Sequence, residues 1–136
     1  MRKLLFLPLI LIILVTTTGC GILNHQMTGN DVIKAFKQAG LQAENVHPMT
    51  TEEYGEAPRV CNGTRFLIPS LGPDNGGRVF ICDKQDEQNQ IVSYYEGLNR
   101  TSSLYFSWVF IKGNIVVQIN GDLDGDTAAK YNQAIP

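Results

Sequence analysis

The stretch Leu104-Tyr-Phe-Ser-Trp-Val-Phe-Ile-Lys-Gly-Asn-Ile-Val-Val-Gln-Ile119 decides the fold, because two apolar β-rich runs stand on either side of a turn sequence. Gly113 and Asn114 suit a two-residue hairpin turn, in which Gly113 accepts a positive φ angle. Residues 104–111 present apolar side chains on both alternating faces, which is typical of a strand buried inside a sheet. We therefore predict a hairpin in which 104–111 is a central strand and 115–119 is its partner.

A second hairpin is predicted upstream, from residues 64–68 and 78–82. The segment between them is dense in Pro, Gly, Asp and Asn, which favour turns. Pro69 lacks a backbone donor, so it places the first run near an edge of the sheet or the end of a strand. Arg65 and Arg78 flank this hairpin. We interpret them as solvated charges that discourage edge-to-edge pairing, with an anion contact as the alternative.

Three segments repeat their apolar residues at helical spacing, namely 30–39, 85–97 and 124–135. The first begins after the capping sequence Thr28-Gly29-Asn30-Asp31 and ends before Gly40. Two shorter segments are consistent with a strand at 41–46 and one helical turn at 50–54. The sequence therefore predicts a single compact α+β domain, with a mainly antiparallel sheet built from two hairpins and about three helices. The predicted order is α(β)ββαββα, with the helices covering one face of the sheet.

The first twenty residues differ in kind from the rest of the chain. Arg2 and Lys3 precede an apolar run at 4–15. In a helix this run would extend about 18 Å, well short of a hydrocarbon core of roughly 30 Å. The pattern predicts a signal peptide over 1–19 rather than a membrane span. Residues 20–28 have no period and are predicted to form a tether to the domain at 29–136.

Small residues lead directly into the first cysteine. Thr18-Gly19-Cys20 resembles the lipobox of bacterial lipoproteins, although Thr17 stands where that motif prefers leucine. The resemblance implies that a diacylglycerol thioether on Cys20 anchors the mature chain to the cell membrane, on its extracytoplasmic face. Two acyl chains, of the palmitate kind, give stable anchoring where one is marginal. The alternative is ordinary secretory cleavage that leaves Cys20 unmodified.

A further set of short motifs extends along the whole predicted mature chain. They are Asp31-Val32-Ile33, Ala35-Phe36, Ala39-Gly40-Leu41, Met49-Thr50, Glu53-Tyr54-Gly55, and the runs 63–72, 76–80, 107–110 and 118–123. In this combination the chain resembles small lipoproteins of Gram-positive bacteria that have no assigned activity. The resemblance implies an extracytoplasmic anchored domain and supplies no catalytic residues.

Composition excludes several classes of function. The chain has 136 residues, 43% of them hydrophobic, with 11 Lys and Arg against 13 Asp and Glu. Because Arg2 and Lys3 belong to the predicted signal peptide, residues 20–136 carry 9 cations against 13 anions, a net charge of −4. This balance argues against a basic nucleic-acid binder and against a disordered acidic tail. No cofactor motif is found, and we expect no cofactor.

Cys61 and Cys82 are the only thiols of the mature chain besides Cys20. Export makes a disulfide between them chemically possible. If the upstream hairpin pairs around its turn, Cys82 lies opposite about Thr64, and Cys61, three residues further back, must curl towards it. A bridge closing a loop of about 20 residues would add roughly 3 kcal/mol of stability. The alternative is a pair of buried free cysteines.

The run Asn120-Gly121-Asp122-Leu123-Asp124-Gly125-Asp126 resembles the start of an EF-hand calcium loop, with oxygen ligands on Asn120, Asp122, Asp124 and Asp126. Tyr131 stands where that loop needs a bidentate glutamate. We therefore interpret the run as a strand end, a turn and the acidic N-terminus of a helix, and we expect no metal.

Two further candidates are weighed in the same way. His47 is the one histidine on which a catalytic site could depend, but no nucleophile motif accompanies it, and we predict that the protein is not an enzyme. A set of aromatic side chains could line a ligand face, although such residues more often form core: Tyr94, Tyr95, Tyr105, Phe106, Trp108 and Phe110.

The sequence thus favours a membrane-anchored lipoprotein of the bacterial cell envelope that acts as a non-enzymatic binding or interaction module, held by the lipid on Cys20. A protein of the envelope is the expected partner, and nucleic acid is excluded. One alternative is a stress-related or structural envelope component that captures calcium or another ligand at 120–126. A weaker alternative is an enzyme that uses His47.

Overall fold

The structure is a computed structural model that describes residues 25–136. The predicted signal peptide, the predicted lipidation at Cys20 and the first part of the predicted tether lie outside the described residues. Within residues 25–136, no helix is long and apolar enough to cross a membrane.

Nine helices and strands follow one another in these residues, and two 3-10 turns join them, at Pro69–Leu71 and Ser103–Tyr105. Their order is α1 (Gly29–Gln38), β1 (Glu44–Pro48), α2 (Thr51–Tyr54), β2 (Asn62–Leu67), β3 (Gly76–Ile81), α3 (Gln85–Thr101), β4 (Ser107–Lys112), β5 (Ile115–Asn120) and α4 (Gly125–Ala134). The strands form one sheet in the order β1-β2-β3-β5-β4, and every neighbouring pair is antiparallel. The predicted α+β domain and both hairpins are confirmed.

The prediction of a central strand at 104–111 is wrong. β4 begins only at Ser107 and lies at the edge of the sheet, where the side chain of Ile111 is 51% exposed. The interior strand of this hairpin is β5, which lies between β3 and β4 and whose residues from Ile115 to Ile119 are all buried. The apolar run misled the prediction because its first three residues, 104–106, are an exposed turn rather than strand.

Helices cover both faces of the sheet, not one as predicted. On the first face, which we call the α1/α4 face, these two helices pack against Phe66, Val79 and Val117. On the second, the α3 face, the long helix α3 packs against Phe80 and Val116. Alternate residues of the same strands therefore enter two separate cores.

The N-terminus of α1 has a complete capping box. The hydroxyl of Thr28 accepts a bond from the Asp31 N–H, and the Asp31 carboxylate accepts one from the Thr28 N–H at 2.9 Å. The hydroxyl and N–H of Thr28, followed by His25, lower the pKa of Asp31 to about 2. Residues 25–28 of the predicted tether contact the domain, since Met27 packs against the α1/α4 core.

Cys61 and Cys82 form a disulfide on the α3 face, with their Cα atoms 4.6 Å apart. The predicted register, with Cys82 opposite Thr64, is wrong, because the structure pairs Thr64 with Val79 and Asn62 with Ile81. Gly76 and Gly77 are the cause: they resemble turn residues but belong to β3. A Cβ on Gly76 would lie 2.1 Å from the Phe66 carbonyl oxygen, so only glycine allows this close pairing.

Candidate functional site

A cleft of about 350 Å³ opens on the α3 face. Its floor is the sheet, with Arg78 on β3, Gln118 and Asn120 on β5, and Ser107 on β4. Its walls come from α2, from the C-terminal half of α3 and from the 3-10 turn that follows α3. The cleft thus combines a polar floor with walls that carry aromatic and apolar side chains and the two acids Glu52 and Glu53.

Two arginines lie side by side on the α3 face, and one of them, Arg78, is on the floor of the cleft. Arg65 on β2 is the cross-strand partner of Arg78 on β3, and Gln118 continues the same row on β5. The Arg78 guanidinium donates from Nη1 to Gln118 Oε1 at 2.9 Å and from Nε to the Glu53 carbonyl at 3.3 Å. The interpretation of these arginines as solvated edge charges is wrong, because β2 and β3 are interior strands and both side chains are half-buried.

Arg65 is held by main-chain oxygens alone. It donates from Nη1 to the carbonyls of Phe66 and Gly77, at 2.7 and 2.8 Å, and from Nη2 to the Asp74 carbonyl at 2.8 Å. Burial, and after it the charge of Arg78, lowers the pKa of Arg65. In the part of the chain that the structure describes, neither arginine has a carboxylate within 4.0 Å. Arg78 on the floor and Arg65 beside it thus form no ion pair with a carboxylate of the described residues.

Ser107 lies on the same floor with an unpaired hydroxyl. Its main chain is held by Asn99 of α3, whose amide donates to the Ser107 carbonyl and accepts from the Ser107 N–H, both at 2.9 Å. The residue is only 5% exposed, and among residues 25–136 its Oγ is the one buried side-chain oxygen or nitrogen without a hydrogen-bond partner. Such a group costs about 1–3 kcal/mol when it stays unpaired.

The 3-10 turn at the rim exposes three large apolar side chains in succession. Leu104 is 89% exposed, Tyr105 58% and Phe106 40%. The Ser102 hydroxyl starts this turn by accepting a bond from the Leu104 N–H at 3.2 Å. The pair Ser102-Ser103 in front of the apolar run was the sequence signal for a turn at this position, and the prediction of a strand missed it.

The predicted aromatic set is divided between the two faces. Tyr94, Tyr95, Tyr105 and Phe106 line the cleft. Trp108 and Phe110 lie on the α1/α4 face, where the Trp108 indole donates to the Leu123 carbonyl at 2.9 Å. Burial raises the pKa of Tyr95, whose ring lies edge-on to Tyr94 with centroids 5.0 Å apart.

The α2 wall is fixed by Tyr54. Its hydroxyl donates to the Cys61 carbonyl and accepts from the Gly63 N–H, both at 3.0 Å. A Cβ on Gly63 would lie 2.7 Å from this hydroxyl, so the glycine leaves the space that Tyr54 occupies. The aromatic side of the wall is thereby tied to the start of β2.

His47 braces α2 from the side of β1. Its Nδ1 lies 2.7 Å from the Asn45 carbonyl oxygen and its Nε2 lies 2.8 Å from Glu53 Oε1. The bond to Glu53, and after it the Asn45 carbonyl, raises the pKa of His47. The second Glu53 oxygen accepts from the Thr50 N–H at 2.8 Å and caps α2. Both ring nitrogens of His47 thus face protein acceptors, and the side chain links β1 to α2.

The acidic run at 120–126 forms a turn and a helix cap. Asn120 Oδ1 accepts from the Asp122 N–H at 2.8 Å, and Asp124 Oδ1 accepts from the Thr127 N–H at 2.9 Å at the start of α4. That bond from Thr127 lowers the pKa of Asp124. Within residues 25–136 no group of three or more His, Cys, Asp or Glu side chains is arranged to hold a metal ion. Asp126 lies in the first turn of α4.

No protein-family model matches the chain, and no curated protein and no solved structure is significantly similar to it. The lipoprotein resemblance therefore stays a prediction from the sequence, and the functional argument depends on the geometry of the cleft.

Proposed function

We propose that this protein is a lipid-anchored, extracytoplasmic and non-enzymatic binding module, and that the cleft on the α3 face is its binding site. The observation that carries the proposal is the exposed turn Leu104-Tyr105-Phe106 beside a polar floor. Ligand sites commonly combine apolar and aromatic walls with a few polar groups in this way.

Export is supported by two independent features. The predicted signal peptide ends at Gly19, directly before Cys20, in the lipobox-like sequence Thr18-Gly19-Cys20. The disulfide between Cys61 and Cys82 is of a kind that persists in oxidising compartments outside the cytosol and is rare within it. Both features are expected of a domain that works on the outer side of a membrane.

The first described residues lie far from the rim of the cleft, which supports an accessible cleft. Residues 26–28 lie beside Asn62 and Ile81, at one end of the β2–β3 hairpin. The cleft rim at Ser107 lies level with Asn120 and Gly76, at the opposite end of the strands. Five residues of β3 separate the two levels, which corresponds to about 16 Å. The first described residues and the cleft rim therefore lie at opposite ends of the sheet.

The exposed apolar side chains are concentrated where a ligand would bind. In the described residues, the large hydrophobic side chains that are exposed are Val60, Leu104, Tyr105, Phe106 and Ile111. Three of these five are consecutive and line the cleft. Single exposed apolar residues need no explanation, whereas a cluster beside polar groups is typical of an interaction site.

Site-specific photocrosslinking tests the proposal. The full chain is produced in its native membrane with a benzophenone amino acid at Tyr105, or at Ala129 on the exposed side of α4 as a matched control. We expect a covalent adduct of defined mass from position 105 and none from position 129. Equal labelling at both positions, or none at position 105, would contradict a binding site in the cleft.

A further inference from the structure

We propose that the cleft recognises an anionic group, a carboxylate or a phosphate, carried on a small ligand with an apolar body, and that Arg78 is the residue that contacts the anion. This inference depends on the proposed function of the cleft, since it names the class of ligand that the cleft takes.

Arg78 has donors to spare on the floor of the cleft. A guanidinium carries five N–H groups. Two of them are used, towards Gln118 and the Glu53 carbonyl, and both acceptors are neutral. The remaining donors have no partner among the described residues. A planar guanidinium with free N–H groups matches the oxygens of a carboxylate or a phosphate.

The carboxylates near Arg78 do not neutralise it. Glu53 also borders the cleft, but its two carboxylate oxygens are engaged by His47 and by the Thr50 N–H, and only its main chain contacts Arg78. Glu52 borders the cleft as well and lies more than 4.0 Å from either arginine. Arg65 is adjacent across the strand pair but does not line the cleft, so a second positive charge lies beside the floor. A bound anion would relieve the repulsion between the two guanidinium groups.

The buried hydroxyl of Ser107 is a second, independent indication of a ligand. Its Oγ has no partner and is shielded from solvent, and the residue belongs to the same floor as Arg78. A rotation about χ1 changes the direction of a serine hydroxyl without moving the main chain, which Asn99 holds. The hydroxyl can then donate to an anion oxygen and complete its own hydrogen bonding.

The volume and the walls of the cleft indicate the size and chemistry of the rest of the ligand. A volume of about 350 Å³ lies near the lower end of the usual range for ligand pockets. It suits one aryl or short acyl group and its acidic head. Tyr94 and Tyr105 line the cleft and are available to contact the apolar body.

Calorimetric titration of the full chain in nanodiscs of zwitterionic lipid tests the inference with matched probes. The probes are 4-phenylbutyrate, its uncharged amide 4-phenylbutanamide, and 4-phenylbutyl phosphate. We expect the carboxylate or the phosphate to bind at least 10-fold more tightly than the amide, and its affinity to fall as salt is raised. Which of the two anions binds more tightly distinguishes a carboxylic acid from a phosphate ester as the natural source.

Variants then assign the anion contact. Arg78→Gln should weaken binding of the preferred anion at least 10-fold and leave the amide unchanged, while Lys130→Gln on α4 removes one charge elsewhere and should change neither. Ser107→Ala removes a hydroxyl without a partner, so it should fold as the wild type does even where Arg78→Gln does not, and should weaken the anion about 3-fold or more.

Two outcomes overturn the inference and are distinguishable. If the amide binds as tightly as the anions and Tyr105→Ser weakens all three, the cleft is a binding site but does not select an anion. If no probe binds at millimolar concentration, the anionic class is wrong, and photocrosslinking from position 105 decides separately whether the cleft binds anything.

Discussion

The two faces of the sheet differ in the burial and polarity of their side chains. On the α1/α4 face, Phe36, Phe66 and Tyr131 are fully buried and in mutual contact, with ring centroids 5.0 to 6.2 Å apart. On the α3 face, the same strands present Arg78 and Gln118 on the floor of an open cleft, with Arg65 beside Arg78. The α1/α4 face forms the larger core, whereas the α3 face combines a smaller core around Phe80 and Val116 with polar groups and a disulfide. This difference is the reason why we propose the α3 face, and not the α1/α4 face, as the binding face.

The largest loss of stability is expected from a substitution in the core of the α1/α4 face. Phe36→Ala should lower the free energy of unfolding by about 3–5 kcal/mol, because it leaves a cavity among fully buried rings. Tyr94→Ala, in the half-buried wall of the cleft, should cost less than about 2 kcal/mol. Urea unfolding of both variants checks the comparison. Equal losses would mean that the two faces contribute alike to stability.

The α3 face should depend on its disulfide. Reduction of Cys61–Cys82 opens a loop with a sequence separation of 21 and should cost about 2–4 kcal/mol of stability. Thermal unfolding with and without reductant measures this loss, and the double variant Cys61→Ala/Cys82→Ala serves as a control that reductant should not affect. Two alkylatable thiols in the native protein, seen by mass spectrometry without reductant, would contradict the bridge.

A smaller change in stability should depend on pH through the hydrogen bond between His47 and Glu53, which links β1 to α2. The pKa of His47 is raised from 6.5, so its contribution to stability is complete below pH 6.5 and is lost as pH rises through the higher pKa of the folded state. For Glu53, burial opposes the bonds from Thr50 and His47, which nevertheless lower its pKa from 4.5. The contribution of Glu53 is therefore lost in acid, below pH 4.5.

Unfolding measured from pH 4.5 to 8.5 checks this expectation. The wild type should lose stability above pH 6.5, whereas His47→Gln should show a flatter profile. An unchanged slope in His47→Gln would show that the bond to Glu53 does not couple to folding.

The smallest effect on stability is expected at the rim of the cleft. Leu104→Ser should change the free energy of unfolding by no more than about 0.5 kcal/mol, because the side chain is 89% exposed. It should nevertheless weaken ligand binding, since Leu104 lines the cleft. Ile111→Ser is the matched control, because Ile111 is exposed but does not line the cleft. A loss of binding in both variants would place the recognition surface along β4 instead.

Local patterns in the sequence predict most of the fold. Apolar spacing identified α1, α3 and α4, and the turn at Gly113 identified the β4–β5 hairpin, where Gly113 has a φ angle of 56°. These features depend on residues that are neighbours in the chain. By contrast, β5 carries apolar residues on both of its alternating faces, and the reason is visible only in the structure: a helix layer covers each face of this strand.

The cleft could not be predicted because it depends on register. With Cys82 opposite Thr64, as predicted, Arg65 would lie opposite Ile81, and the pair of arginines would not exist. The register follows from Gly76 and Gly77, whose missing side chains allow close contact with Phe66. No local pattern distinguishes such glycines from turn glycines. The arginines were therefore interpreted as edge charges, although the structure pairs them in the interior of the sheet.

The central claim is that ligands bind in the cleft on the α3 face. Photocrosslinking of the full chain in its native membrane, from position 105 compared with position 129, tests it most directly. The account predicts an adduct of defined mass from position 105 alone, with reduced yield in Leu104→Ser. An adduct from position 129 alone, or equal labelling at both positions, would contradict it.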